Sequence, residues 1–265
     1  MESDGESATP SSASGTAGLA TTDTSETPRT KICVYCGSSS GKNPVYMEAA
    51  RELARVMHEN DIGLVYGGGT VGLMGELAKT LVSLSGPQSV HGIIPEALVR
   101  YERDPKYTST TTASTSGGTD GTDDSSSSHI INEEGLAVPA EELYGKTTVV
   151  RDMHTRKRMM AQEVIRGGPG SGFLALSGGY GTFEELLETC TWNQLGIHDR
   201  GVCVLNVNGF YNGLFSLIGK SVEDGFIAPG AANIIVQGKT AEDAVQALRE
   251  YKVEPAVLKL AWGKE

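Results

Sequence analysis

Long apolar runs, cysteine and positive charge are all scarce in this 265-residue chain, and each scarcity removes a class of protein. No stretch of about 18 apolar residues exists, which argues against a transmembrane helix. Four cysteines, Cys33, Cys36, Cys190 and Cys203, do not suggest a disulfide framework at this length. Cys33 and Cys36 form a CxxC, but Cys33 lies inside the apolar run ICVYC and no second close pair completes a zinc site, so buried thiols are expected. Lys and Arg number 22 against 33 Asp and Glu, a formal charge of −11, which gives no support for nucleic-acid binding. The N-terminus lacks the basic and apolar parts of a secretory signal, and its acids are wrong for a mitochondrial presequence; a cytoplasmic protein is expected.

The negative charge is unevenly placed. Residues 1–28 hold five acids and no Lys or Arg, and residues 108–128 hold three acids, again without a cation. The remainder is nearly balanced. Both acidic segments are rich in small polar residues, with 14 of 21 Ser or Thr in the second, and neither can bury enough apolar surface to offset the entropy of ordering. A disordered tail over 1–28 and a low-complexity loop insertion over 108–128 are expected, around a single domain spanning 29–253 and followed by a short extension over 254–265.

What is present is an alternation of short apolar runs with longer amphipathic ones. KICVYC (31–36), IGLVY (62–66), SVHGIIP (89–95), TTVV (147–150), FLALS (173–177), GVCVLNV (201–207) and NIIVQ (233–237) read as strands buried on both faces. Asn43-Pro44 marks a helix start, as does Thr240. Repeated β then α implies an α/β class, Rossmann-like doubly wound parallel sheet, with ligands at the carboxyl ends of the strands.

Four segments at those ends carry possible chemistry. CGSSSGKNP (36–44) departs from a Walker A loop, with Cys36 for the first Gly and Asn43 for the Ser or Thr, so triphosphate binding is not expected; Ser38 and Ser39 read equally well as letting backbone amides approach a ligand or as a plain helix-entry turn. YGGGTVGLMG contains Gly67, Gly69 and Gly72 in the G-x-G-x-x-G pattern of dinucleotide sites, yet the acid expected about 20 residues on is missing. In LSGGYGTFEELLETCTWNQLGIH, Gly178, Gly179 and Gly181 free a turn from Cβ clashes ahead of a helix beginning near Thr182, where free amides favour one phosphate. Thr182 and Glu185 form a T-x-x-E capping box, the simplest explanation of Glu185 from those residues alone. In RDMHTRKRMMAQ, a helix from Asp152 puts Met153, Arg156 and Met160 on one face, with the methionines read as core. The cations Arg156, Lys157 and Arg158 read first as a solvated face.

Taken together, DMHTRK, GGYGTFEE, CGSSSG, VYGGGTVGLMG and TWNQLGIHD resemble the LOG (Lonely Guy) family of cytokinin riboside 5'-monophosphate phosphoribohydrolases, often mislabelled lysine decarboxylases. The resemblance spans about Lys31 to Tyr251. It implies hydrolysis of an N-glycosidic bond to a free base and ribose 5-phosphate, with Arg156 and Glu185 as the catalytic pair. It further implies that Glu102, Lys157, Gly179, Tyr180, Gly181, Thr182 and Thr191 contact the nucleotide. No metal or organic cofactor, nucleic acid or membrane is implied, and at least a homodimer is. Two departures stand out: Ser177 replaces the family's proline before the glycines, and RGGPGSGF (166–173) lengthens one helix-to-strand connection. A broader nucleoside 5'-monophosphate nucleosidase and a non-catalytic nucleotide-binding protein on the same fold remain alternatives. A pyridoxal-dependent decarboxylase is disfavoured, because no lysine stands in a Schiff-base setting.

Overall fold

Both faces of the first strand are buried, and its side chains divide between two cores. Ile32 and Val34 join one apolar cluster, Cys33 and Tyr35 the other. A strand covered on both sides has no use for polar alternation, which is why KICVY reads as a continuous apolar run. The computed structural model describes residues 27–102, 129–132, 135–253, 260 and 262. The expected tail up to residue 26, the Ser/Thr insertion and most of the 254–265 extension lie outside the described residues.

The element order begins with β1 (Lys31–Tyr35), α1 (Val45–Glu59), β2 (Gly63–Tyr66), α2 (Gly72–Ser85), β3 (Val90–Pro95) and α3 (Glu96–Glu102). After a hairpin of β4 (His129–Ile131) and β5 (Ala137–Pro139) come α4 (Glu141–Tyr144), β6 (Lys146–Val150), α5 (Met153–Ile165), β7 (Gly172–Ala175) and α6 (Tyr180–Gln194). The chain continues through β8 (Gly201–Leu205), α7 (Asn212–Glu223), β9 (Ile235–Gly238) and α8 (Ala241–Arg249). Seven strands form one sheet in the order β6-β3-β2-β1-β7-β8-β9, every pair parallel. The antiparallel hairpin β4–β5 stands apart and has no counterpart among the expected strands.

Helices α1, α2 and α8 cover one face through Leu53, Leu77 and Leu248, and α5 and α6 cover the other through Met160, Val164 and Leu186. Each such fully buried side chain contributes about 1.5–3 kcal/mol against the entropy of ordering. Local signals agree with the layers. The Asn43 carboxamide accepts from Val45 N at 3.1 Å where α1 begins, and Thr240 and Asp243 form a reciprocal capping box on α8. The lengthened connection after α5 is fixed by Arg200, whose guanidinium donates to the carbonyls of Ile165 (2.6 Å), Gly167 (2.9 Å) and Gly168 (3.3 Å). Cys33, Cys36 and Cys203 are buried free thiols, and Cys190 is a partly buried one.

The strand order reverses between β1 and β7: the chain builds outward from β1 to β6 on one side, then from β7 to β9 on the other. The loops after β1 and β7 therefore part around a crevice, as the topology of open α/β sheets requires. Among the described residues no helix is long and apolar enough to cross a membrane.

Candidate active site

Asp152 starts α5 by accepting from Thr155 N and Thr155 Oγ1, both at 2.8 Å, and these bonds hold its carboxyl below the usual aspartate value. A helix begun there carries Arg156 one turn in, facing the sheet. Arg156 is buried, with Nε donating to Ile93 O at 3.1 Å and Nη1 donating to Glu185 Oε1. The expected solvated cluster is thus split three ways. Arg156 points inward, Lys157 is half-buried between Glu184 (2.6 Å) and Glu188, and Arg158 is exposed. Met160 is core as expected, but Met153 is exposed at the mouth of a cavity.

Helix α6 begins two residues earlier than the sequence suggests. Its N-cap is Gly179, with no side-chain cap, so Thr182 lies inside the first turn and no T-x-x-E capping box forms. Glu185 does not return to the helix start; its carboxylate bonds Arg156 instead. The reason is burial: the Glu185 side chain points between α6 and α5, where it is 9% exposed, and only a cation can satisfy it there. The glycines also divide. A Cβ on Gly178 would strike Thr182 Oγ1, whereas one on Gly179 or Gly181 would meet nothing within 4 Å. Relief of clashes is therefore the role of Gly178 alone, and the other two leave open space above the turn. The amides of Tyr180, Gly181 and Thr182 precede the first helical bond, Phe183 N to Gly179 O, and face that space with the positive end of the helix.

The resulting cavity holds about 320 Å³ and brings the loops after β1, β2 and β7 to the buried pair. Its lining includes Ser38, Gly67, Gly179–Thr182, Glu184, Arg156 and Glu185, together with the apolar side chains of Met74, Leu98 and Met153. Burial pushes the Glu185 carboxyl above its usual value of 4.5, with the Arg156 charge pulling the other way. The thiols of Cys33 on β1 and Cys36 just after it, and the phenol of Tyr35 on β1, are pushed up by the same burial and by the Glu185 charge. A buried carboxylate paired with a fixed cation and facing a cavity is suited to charge stabilisation or proton exchange.

Of the residues expected at the site, the structure brings together Arg156, Glu185, Gly179, Tyr180, Gly181 and Thr182. Lys157 stands behind the wall, tied to Glu184. Thr191 lies exposed further along α6, donating to Leu187 O at 2.9 Å, and does not line the cavity. Glu102 ends α3, and its side chain lies outside the described residues. Met74, Leu98 and the Ile93 carbonyl were not anticipated; the first two carry no signal beyond apolarity, and a main-chain acceptor carries none. Among the described residues no group of three or more His, Cys, Asp or Glu could hold a metal ion. A larger hollow, about 500 Å³, opens around Lys31, His91 and Glu163 at the opposite ends of the strands, away from this pair.

Residues 74–248 match the family model described as possible lysine decarboxylase. A bifunctional cytokinin biosynthesis protein of Fusarium pseudograminearum (strain CS3096) is 54% identical over 217 residues, which are 82% of this chain and 39% of that protein; the chain thus spans well under half of it. The cytokinin riboside 5'-monophosphate phosphoribohydrolase LOG3 of Arabidopsis thaliana is 40% identical over 237 residues, 89% of this chain and 90% of that protein. Among solved structures, the molybdenum cofactor carrier protein of Chlamydomonas reinhardtii superposes with a TM-score of 0.51 at 14% identity, covering 84% of this chain and 97% of that one. A molybdenum cofactor binding protein of Rippkaea orientalis gives 0.50 at 14% identity over 83% and 96%. At such identity these two share the fold alone. The sequence relatives and the family model agree, and the chain belongs to the LOG family, whose model bears the possible lysine decarboxylase description.

Proposed function

We propose that this chain hydrolyses the N-glycosidic bond of cytokinin riboside 5'-monophosphates, N6-substituted adenosine monophosphates, to the free base and ribose 5-phosphate. The observation that carries the reading is the buried Arg156–Glu185 pair beside an open helix start in one cavity, in a chain whose relatives bear that activity in their names. The 5'-phosphate sits over the amides of Tyr180, Gly181 and Thr182, in the room that Gly179 and Gly181 leave. The apolar side chains of Met74, Leu98 and Met153 receive the substituted base. As the C1'–N bond lengthens, positive charge grows on the ribose, and the Glu185 carboxylate stabilises it and orients water toward C1'. Water supplies the hydroxyl at C1' and, in balance, the proton on the departing base. Arg156 holds Glu185 ionised and in place.

No lysine lines the cavity among the described residues, so a decarboxylase acting through a Schiff base finds no support. The chain acts as a homodimer in this reading. Tyr180, Leu187, Leu217 and Phe226 are exposed apolar or aromatic side chains on α6, α7 and the turn after it, the residue types a second copy would cover. A cytoplasmic setting suits its four free cysteines.

Glu185→Gln tests the assignment. Glutamine keeps an acceptor for Arg156 but leaves its buried charge without a counter-charge, so some loss of stability is expected from the change itself. The variant is expected to remain folded at about 25 °C, destabilised by up to about 3 kcal/mol, while kcat falls by about 10³. Turnover retained at the parent rate excludes Glu185 as the catalytic carboxylate.

A further inference from the structure

The glycine motif after β2 matches a dinucleotide fingerprint in form, yet nothing in the proposed reaction uses a pyrophosphate. Its glycines answer to different neighbours. Gly68 and Gly72 have φ of +77° and +59°, the left-handed region that side chains avoid, and a Cβ on Gly72 would enter the Ser38–Ser39 backbone. Those two serve the turn itself. Gly67 does not share this conformation, so its own backbone accepts any residue. What a Cβ there would meet is Arg156: it would fall onto Nη2, with Cζ at 3.3 Å and the Met74 sulfur at 3.4 Å.

We propose that Gly67 is a positioning residue for the reaction: its missing side chain is the space that lets the Arg156 guanidinium lie across the end of β2 and reach Glu185. This rests on the reading of Arg156 and Glu185 as the reacting pair. The guanidinium is a rigid plane held at two of its nitrogens, Nε by the Ile93 carbonyl at 3.1 Å on β3 and Nη1 by the Glu185 carboxylate on α6. A methyl on Gly67 displaces the third nitrogen by about 1 Å, and a planar group cannot yield there without turning the other two off their partners. The end of the Arg156 side chain borders the cavity and can turn aside, so the fold tolerates a methyl here while the pairing with Glu185 does not. The G-x-G-x-x-G spacing here makes room for a cation from the protein itself, where a dinucleotide fold makes room for a phosphate.

Gly67→Ala in the full chain tests this. The expected result is a folded protein with kcat lowered about 10²-fold, since an error of about 1 Å in a reacting group costs that much. The acid limb of the kcat–pH profile is expected to move upward. The groups facing Glu185 are Arg156 and Lys157 from α5, Glu184 from its own helix, Cys33 and Tyr35 from β1 and Cys36 from the loop after it; displacing Arg156 removes the cation that opposes burial. In an Arg156→Lys background, whose side chain has no Nη2, Gly67→Ala is expected to cost less than about threefold relative to Arg156→Lys alone. A carbon-13 titration of the Glu185 carboxyl reads the same displacement without any turnover, and it is expected to rise in Gly67→Ala. Parent kcat and an unmoved acid limb overturn the proposal, as does an equal loss in the lysine background. Should Gly67→Ala fail to fold, the double variant must still fold as Arg156→Lys does; if it too fails, the glycine serves the backbone and the proposal falls. Absence of hydrolysis by the unmodified chain would sink the proposed reaction, leaving the carboxyl titration to decide the role of Gly67.

Discussion

Glu163 and Glu185 lie on adjacent helices, α5 and α6, over the same sheet face, each paired with a cation, and their proton affinities move in opposite directions. Glu163 lies near the amino ends of the strands, bonded to Lys31 at 2.6 Å and to His91 Nδ1. Burial pulls its carboxyl up, but the bonds from His91 and Lys31 outweigh that and bring it down to about 2. Glu185 lies at the carboxyl ends, more deeply buried and with Arg156 as its cation, and burial prevails. Having a cationic partner does not decide the outcome; the balance between lost water and gained bonds does. One carboxylate supports the fold, while the other is held at a cost beside a cavity at the carboxyl ends of the strands, a combination typical of functional sites.

The contrast can be broken at either end. Glu163→Gln is expected to lose about 2 kcal/mol of stability at pH 7, roughly a 30-fold change in the folding equilibrium, after discounting for solvent in the adjoining hollow. A depressed carboxylate stabilises the fold above its unfolded value near 4.5 and loses that contribution as pH falls toward 2. Urea melts of parent and variant should therefore converge between those values, with turnover at pH 7 unchanged. Convergence without any gap at pH 7 would show that the Lys31–His91 pairing contributes nothing. The second expectation concerns Glu185 and is smaller. Its raised carboxyl places the acid limb of the rate above pH 4.5, with kcat falling about tenfold per unit below it while the chain stays folded. An acid limb at or below 4.5 would mean that Arg156 prevails over burial.

How much of this was legible depended on whether the deciding neighbour lay nearby in sequence. The seven sheet strands were readable because burial on both faces leaves continuous apolar runs, and the caps at Asp152 and Thr240 act within three residues. The three-residue strands β4 and β5 are too short to show a pattern. Glu185 was misread for a related reason. T-x-x-E is a local rule, and the cation that overrides it lies 29 residues away on another helix. Arg156 read as part of a solvated run because its acceptors, Ile93 O and Glu185, come from β3 and α6. Family resemblance supplied the pair that local rules could not, since it reports the packed arrangement directly. Gly67 escaped both routes, because a space is defined only by what fills it.

The account turns on a phosphate held over the α6 amides and a glycosidic bond placed at Glu185, and one assay reads both. Purified chain is incubated with N6-isopentenyladenosine 5'-monophosphate and, separately, with the dephosphorylated riboside, and base release is followed by chromatography. The expected result is free base and ribose 5-phosphate from the monophosphate, with the riboside at least about 10²-fold slower, the worth of two charge-assisted bonds. Equal rates on both, or no release from the monophosphate, would contradict it.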